Sequence, residues 1–157
     1  MIATLPPDIA TQQAAIVADF ASLPGDESNW DAKYRHLIEL GKQLEPLPVE
    51  FQTDDNIVRG CQSQVWLVTE LDITSDEQPR LVMRADSDAL IVKGLVSLLL
   101  RVYNHQPLAA ILSHPPEFIQ QIGLGQQLSM QRSNGLAAMM KQIQLYALAY
   151  QMKANCT

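Results

Sequence analysis

The chain passes from a tight turn into a strand within one stretch, Gly60-Cys61-Gln62-Ser63-Gln64-Val65-Trp66-Leu67-Val68-Thr69-Glu70-Leu71. Glycine adopts backbone conformations that are closed to other residues, and Cys61 follows Gly60 directly. From Gln64 onward the residues are typical of a strand that places its side chains on alternating faces. The sequence therefore predicts that a turn holds the Cys61 thiol at the end of a sheet.

Two interpretations of Cys61 are open at this point. Most free cysteines are small buried hydrophobic residues. Its neighbours Gln62, Ser63 and Gln64 favour an exposed position instead, because buried amides need hydrogen-bond partners.

Composition limits the class of protein. The chain has 157 residues with 47% hydrophobic and 18% charged residues, which suits a single globular domain over residues 1–157. The net charge of −6 argues against nucleic-acid binding, which usually needs a basic surface. No apolar run is long enough to cross a membrane. Two cysteines form no disulfide framework in a domain of this size, so we expect a cytoplasmic protein.

The residues before this stretch predict two helices and an extended connection. The first helix is predicted over residues 7–21, and the second over residues 29–44 with Ser28 as its N-cap. Residues 51–59 are predicted to be extended, with a turn at Asp54-Asp55-Asn56.

The residues after this stretch predict a hairpin and a central helix. The strand runs to about residue 73, turns through residues 74–79 and returns over residues 80–85 as an antiparallel partner with one face covered. Asp86-Ser87-Asp88 is predicted to cap a long helix over residues 89–104, because such side chains accept hydrogen bonds from free N–H groups. That helix is apolar almost all round, which is typical of a buried element. Gly94 inside it indicates close packing against another backbone.

The C-terminal third predicts short helices and one long helix. The short helices end near residue 112 and span residues 117–122, and Gly123-Leu124-Gly125 is predicted to be a loop. Ser129 is the predicted N-cap of a last helix over residues 130–153, and Cys156 follows in the tail. Arg132 then lies in the first turn, where a cation opposes the helix dipole, so it is not placed there for helix stability.

Three ordered blocks resemble the family of SufE-like sulfur acceptor proteins. The first is the stretch from Gly60 to Trp66. The others are Asp86-Ser87-Asp88-Ala89 with residues 91–95, and Arg132-Ser133-Asn134-Gly135-Leu136 with Met139. Matching residues of an upstream helix are Trp30, Tyr34, Ile38, Glu39, Leu40 and Gly41. Members of this family take persulfide sulfur from a cysteine desulfurase and pass it toward iron–sulfur cluster assembly.

The resemblance implies a function and a site. Cys61 would carry the sulfur and Arg132 would lie beside it. The supporting residues of the active-site loop would be Gly60, Gln62, Ser63, Gln64 and Asp88. The thiol would be tucked against the protein, under cover of Val65, Trp66 and the long helix, and would swing out on meeting the desulfurase. A plain surface arginine at position 132, and a plain helix-capping acid at position 88, stay open as alternatives.

The resemblance also implies a fold and partners. The fold is expected to be α+β, a small antiparallel sheet packed against several helices, resembling the SufE/IscU-like fold. The expected partners are a cysteine desulfurase of the SufS or CsdA type and, downstream, an iron–sulfur scaffold complex. A homodimer stays open.

Other chemistries lack the residues they need. A cysteine hydrolase needs a base beside the thiol, and the spacing of His36, His105 and His114 does not indicate one. A zinc or iron–sulfur site needs about four ligands, commonly several cysteines, so we expect no metal or organic cofactor. Two alternatives to a persulfide carrier remain: a non-catalytic adaptor of a desulfurase, and a reactive-thiol redox sensor. Whether the protein is itself an enzyme stays open.

Overall fold

The structure, a computed structural model, describes residues 5–73 and 78–155. It is an α+β fold in which a three-stranded antiparallel sheet of order β1-β2-β3 packs with several helices. The strands are β1 (Val65–Asp72), β2 (Arg80–Ser87) and β3 (Gln106–Pro107). The helices are α1 (Ile9–Ala21), α2 (Asp31–Gln43), α3 (Leu90–Tyr103), α4 (Leu108–Ser113), α5 (Glu117–Gln121), α6 (Leu124–Gln127) and α7 (Met130–Asn155). The predicted fold class is confirmed.

The first two helices differ slightly from prediction at their starts. The helix α1 begins at Ile9 because the Asp8 carboxylate caps it, accepting the Thr11 N–H at 2.8 Å. The predicted N-cap of α2, Ser28, is wrong. Its hydroxyl donates to Asp26 at 2.6 Å, and α2 starts three residues later.

The connection between α2 and β1 is not the extended segment that we predicted over residues 51–59. It forms two single turns of 3₁₀ helix, Val49–Phe51 and Asp54–Asn56. The second of these turns is the one predicted at Asp54-Asp55-Asn56. Ile57 then forms an isolated antiparallel bridge with Trp66, and the Val58 N–H donates to the Val65 carbonyl at 2.8 Å. These two residues lead the chain alongside β1 into the cysteine turn.

The hairpin is confirmed, with strands that pair from Val65↔Ser87 to Asp72↔Arg80. Of its predicted turn, residues 74–77 lie outside the described residues. The expectation of one covered face is wrong at the start of β1, because Val65, Trp66 and Leu67 are all buried. The third strand was not predicted: the polar Gln106 and a proline give no strand pattern, yet Gln106 pairs with Leu81.

The helix α3 is the buried element that its apolar sequence predicts, although Leu90 at its start is exposed. Gly94 is where α2 crosses α3. A Cβ atom on Gly94 would lie 2.2 Å from the Leu37 carbonyl oxygen, so the predicted close backbone packing is confirmed.

Two further boundaries differ. The predicted loop at residues 123–125 is instead the short helix α6, preceded by Gly123 in the left-handed region at φ 78°. The last helix α7 extends two residues beyond the predicted 153, and Ser129 caps it as predicted, with the Arg132 N–H donating to Ser129 Oγ at 3.2 Å. Cys156 lies outside the described residues.

Candidate active site around Cys61

The turn before the cysteine needs glycine for two reasons. Gly60 has a φ of 93°, in the left-handed region that side chains strain. A Cβ atom there would also lie 3.1 Å from the Cβ atom of Ala138 on α7. The turn therefore presses the cysteine loop, residues 60–64, against the last helix.

The Cys61 thiol is half-buried against that helix. Its Sγ lies 3.5 Å from the Gly135 carbonyl oxygen, to which it donates a weak hydrogen bond. A Cβ atom on Gly135 would lie 3.5 Å from the same sulfur, so even a methyl group at position 135 would touch the thiol. Cys61 is therefore neither the buried core residue nor the exposed residue of the two interpretations, because it is half-buried.

A cavity of about 320 Å³ lies beside the thiol, where the cysteine loop, β1, α3 and α7 meet. The apolar residues that line it with Cys61 are Val65, Val92, Leu95, Val96, Leu136 and Met139. The other lining residues are Gln62, Ser63, Ser129, Gln131, Arg132 and Gly135. The sulfur thus borders a mainly apolar space with polar groups at its rim.

Burial opposes ionisation of the Cys61 thiol. Burial raises the pKa of Cys61, because a thiolate loses its hydration there. The resting thiol is therefore neutral around pH 7. Arg132 lies in the first turn of α7 with an exposed side chain, and it is the charged residue among the described residues that line the cavity.

Asp86, Ser87 and Asp88 do not cap α3, and that prediction is wrong. The helix starts after Ala89 with no side-chain cap. The Asp88 carboxylate instead accepts the Gln64 N–H at 3.0 Å, and Asp88 N–H donates to the Gln64 carbonyl at 3.2 Å. The Ser87 hydroxyl donates to that same carbonyl at 2.8 Å. These groups fasten the C-terminal end of the cysteine loop to the end of β2.

Asp86 serves a neighbouring segment. Its buried carboxylate accepts the Leu47 N–H at 3.1 Å and lies 3.7 Å from the Lys93 ammonium. It therefore fixes the linker that follows α2 to the sheet and to α3.

The structure brings most of the predicted site residues together. Cys61, Gln62, Ser63 and Arg132 line one cavity. Gln64 and Asp88 hold the loop from outside the cavity. Trp66 does not cover the thiol as expected: its side chain is buried but lies outside the cavity lining, since alternate residues of β1 point to opposite faces.

Sequence reasoning missed how much of the site α7 supplies. Ser129, Gln131 and Gly135 reach the cavity from about 70 residues away in sequence, a distance that no local pattern spans. Ser87 was predicted to cap α3, whereas it is the last residue of β2 and its hydroxyl donates to the Gln64 carbonyl. The one available signal was that Gly135, Leu136 and Met139 belong to the third block of the resemblance.

The histidines lie elsewhere. His105 pairs with Asp72 at 2.7 Å at the far end of the hairpin, His36 packs edge-on against Phe20, and His114 Nδ1 lies 2.9 Å from the Ala110 oxygen. Among residues 5–73 and 78–155, no three His, Cys, Asp or Glu side chains are grouped as metal ligands would be. A search of the same residues for a helix with the length and hydropathy of a membrane span finds none.

Comparison with known proteins identifies relatives of this chain. A family model described as "SufE: Fe-S metabolism associated domain" matches residues 14–147. An uncharacterised SufE-like protein of Rhizobium etli is 44% identical over 129 residues, which are 82% of this chain and 84% of the relative. A second, from Rhizobium meliloti, is 43% identical over 130 residues, 82% of this chain and 89% of the relative.

A plant relative and a solved structure add to this. SufE-like protein 1, chloroplastic/mitochondrial, of Arabidopsis thaliana is 42% identical over 79% of this chain, a region that makes up 32% of the plant protein. The solution structure of a hypothetical protein from Thermus thermophilus has a TM-score of 0.70 at 20% identity, covering 95% of this chain and 99% of that one. This likeness shows that the two share a fold.

Proposed function

We propose that this chain, which belongs to the SufE family of Fe-S metabolism associated domains, is a sulfur carrier that accepts persulfide sulfur on Cys61 from a cysteine desulfurase of the SufS or CsdA type. It stimulates that desulfurase and hands the sulfur to an iron–sulfur scaffold complex. The compartment we propose is the cytoplasm. The observation that carries the proposal is the placement of one half-buried thiol beside a mainly apolar cavity with a cation on its lining.

The reaction is a thiol–persulfide exchange. The Cys61 thiolate attacks the terminal sulfur of the donor's cysteine persulfide, and a new S–S bond forms on Cys61 as the donor's S–S bond breaks. The donor cysteine leaves as a thiolate and takes up a proton. The number of S–S bonds is unchanged, so no outside oxidant or reductant takes part, and the step needs no metal or organic cofactor.

Each residue of the site has a proposed role. Arg132 favours the anionic forms of Cys61, the thiolate before transfer and the persulfide after it. Gly60 gives the loop its turn, Gln62 and Ser63 form the polar rim, and Gln64 with Asp88 anchors the loop. The apolar walls from α3 and α7 keep water and oxidants away from the persulfide.

Mass spectrometry after incubation with a cysteine desulfurase and cysteine tests the proposal. The wild-type chain and Cys156→Ser should each gain about 32 mass units, one sulfur atom, on Cys61. Cys61→Ser should gain nothing and should no longer stimulate the desulfurase. Sulfur on Cys156 with Cys61 untouched would contradict the proposal.

The same experiment separates the alternatives. A desulfurase that is stimulated while Cys61 stays unmodified would identify an adaptor. Sulfenic acid or disulfide formation at Cys61 in the absence of any desulfurase, without persulfide in its presence, would identify a redox sensor.

A further inference from the structure

The cysteine loop has little to hold it between its two ends. In the part of the chain that the structure describes, the backbone groups of residues 59–63 make no hydrogen bond to other backbone or side-chain groups. The loop begins at the left-handed Gly60 and ends at Gln64, the last residue before β1. Apart from the contact between Cys61 Sγ and the Gly135 oxygen, the position of the thiol therefore depends on how these two ends are fixed.

Three hydrogen bonds hold Gln64 at the end of the loop, and the residues that form them with Gln64 differ in burial. Asp88 supplies two of them, a carboxylate oxygen for the Gln64 N–H and an N–H for the Gln64 carbonyl. Asp88 and Gln64 are both exposed, so water competes for these bonds. The third comes from the Ser87 hydroxyl, and Ser87 is only 2% exposed.

The Ser87 hydroxyl both accepts and donates a hydrogen bond. Its Oγ accepts the Ala89 N–H at 3.3 Å, and its O–H donates to the Gln64 carbonyl at 2.8 Å. One oxygen thus links the end of the cysteine loop to the start of α3. Its loss would remove the acceptor of the Ala89 N–H and one of the two donors to the Gln64 carbonyl, leaving the Asp88 N–H as the other. A donor left without its acceptor costs more than a bond that water replaces.

We propose that Ser87 is a positioning residue for Cys61: its buried hydroxyl fixes the Gln64 end of the cysteine loop and thereby keeps the thiol against Gly135. Ser87 does not touch the sulfur and acts only through the loop. For the free protein this inference stands on the hydrogen bonds alone. Its consequence for sulfur transfer rests on the proposed function.

Alkylation of Cys61 in a Cys156→Ser background tests the inference without any partner protein. Ser87→Ala should raise the alkylation rate at pH 7 by about fivefold, the factor that corresponds to one neutral hydrogen bond. The midpoint of the pH–rate profile should also move to lower pH, because a thiol that leaves its cover regains hydration. The charged residue that lines the cavity, Arg132, is unchanged in this variant.

Two variants show whether the hydroxyl itself is responsible. Ser87→Thr keeps the hydroxyl and should behave like the wild type. Asn104→Ala is the matched control for a general loss of stability, because it removes the side-chain oxygen that accepts the Met83 N–H at 2.7 Å on the same strand, away from the loop. An unchanged rate and midpoint in Ser87→Ala, equal changes in Ser87→Thr, or equal changes in Asn104→Ala would each overturn the inference.

Hydrogen exchange on the unmodified protein keeps the inference testable if Ser87→Ala does not fold. The amides of Asp88 and Ala89, which donate to Gln64 and Ser87, should exchange at least about tenfold more slowly than those of Gln62 and Ser63. Equal exchange rates would mean that this end of the loop is not fixed.

Sulfur transfer is measured separately, so the two proposals fail in different ways. If the wild-type chain takes no sulfur from a desulfurase, the proposed function is wrong, while the alkylation contrast still decides the role of Ser87. If the wild type takes sulfur and Ser87→Ala shows no alkylation change, only the role of Ser87 is wrong.

Discussion

At the scale of single residues, Cys61 and Arg132 line the same cavity. Burial favours the neutral thiol, whereas a cation favours the thiolate. Burial keeps the resting sulfur protonated by raising its pKa. A persulfide acceptor has to become a thiolate, and a free cysteine titrates near pH 8.5, about 1.5 units above neutrality. We therefore expect Arg132, the cation on the lining of the cavity, to stabilise Cys61 most when the thiol loses its proton.

Arg132→Ala should slow sulfur acceptance near neutral pH and move the pH–rate profile of Cys61 alkylation to higher pH. An opposite charge within a few ångströms lowers the pKa of an acid by about 1–3 units, and we expect the Arg132 side chain to come that close to the sulfur when the thiolate forms. Among residues 5–73 and 78–155, the exposed Arg132 side chain forms no hydrogen bond or ion pair. The free energy of unfolding should therefore change by about 0.5 kcal/mol or less.

Two substitutions on the same helix complete this test. Arg132→Lys should restore only part of the activity, because lysine lacks the planar, multi-donor head of arginine. Lys141→Ala removes another exposed cation of α7 that does not line the cavity, and its alkylation profile should match the wild type. A normal profile and transfer rate in Arg132→Ala would refute the role, and a large fall in its melting temperature would show that Arg132 is structural.

At the scale of elements, the crossing of α2 and α3 sets one wall of the cavity. Gly41 and Gly94 let the two helices touch through their backbones: a Cβ atom on Gly41 would lie 2.8 Å from the Gly94 nitrogen. Val92, Leu95 and Val96 on either side of this crossing line the cavity. A displacement of α3 therefore changes the surroundings of the thiol.

Gly94→Ala should destabilise the protein even though alanine is the better helix former. The added methyl group would lie 2.2 Å from the Leu37 oxygen, and overpacking of this kind costs about 1–3 kcal/mol. Gly125→Ala is the matched control, since a Cβ atom there meets nothing within 4 Å and α6 should gain up to about 1 kcal/mol. Denaturant unfolding measures both, and equal stabilities for the two variants would contradict the prediction.

The elements also show what the sequence predicts well. The long helices, the hairpin and the crossing at Gly94 follow from apolar periodicity and from one glycine inside a helix, which are local properties. Asp86-Ser87-Asp88 looks locally like a helix cap, but its partners, Leu47 and Gln64, lie 39 and about 24 residues away. The strand β3 exists only because Gln106 meets Leu81, so tertiary pairing decides it.

At the scale of the whole molecule, the cavity exists because three separate parts of the chain converge on it: the cysteine loop with the start of β1, then α3, then α7. The cysteine loop and α7 are 74 residues apart at the contact between Cys61 and Gly135. Cover for the thiol was expected from Val65, Trp66 and the long helix. Val65 and α3 do line the cavity, but α7 takes the place of Trp66. The resemblance supplied the residues of this third block, and only the folded chain places them over the sulfur.

A thiol held in this way should depend on its partner for access. In a Cys156→Ser background, a bulky thiol reagent should label Cys61 at least about tenfold more slowly in the folded protein than in denaturant at the same pH. That ratio corresponds to about 1.4 kcal/mol for moving the loop away from α7. Adding the desulfurase should raise the rate, because we expect docking to draw the loop outward. A lower rate would contradict this and would mean that the desulfurase only shields the surface. Fast labelling of the free protein that the desulfurase does not change would show that the half-buried position of Cys61 places no limit on its access.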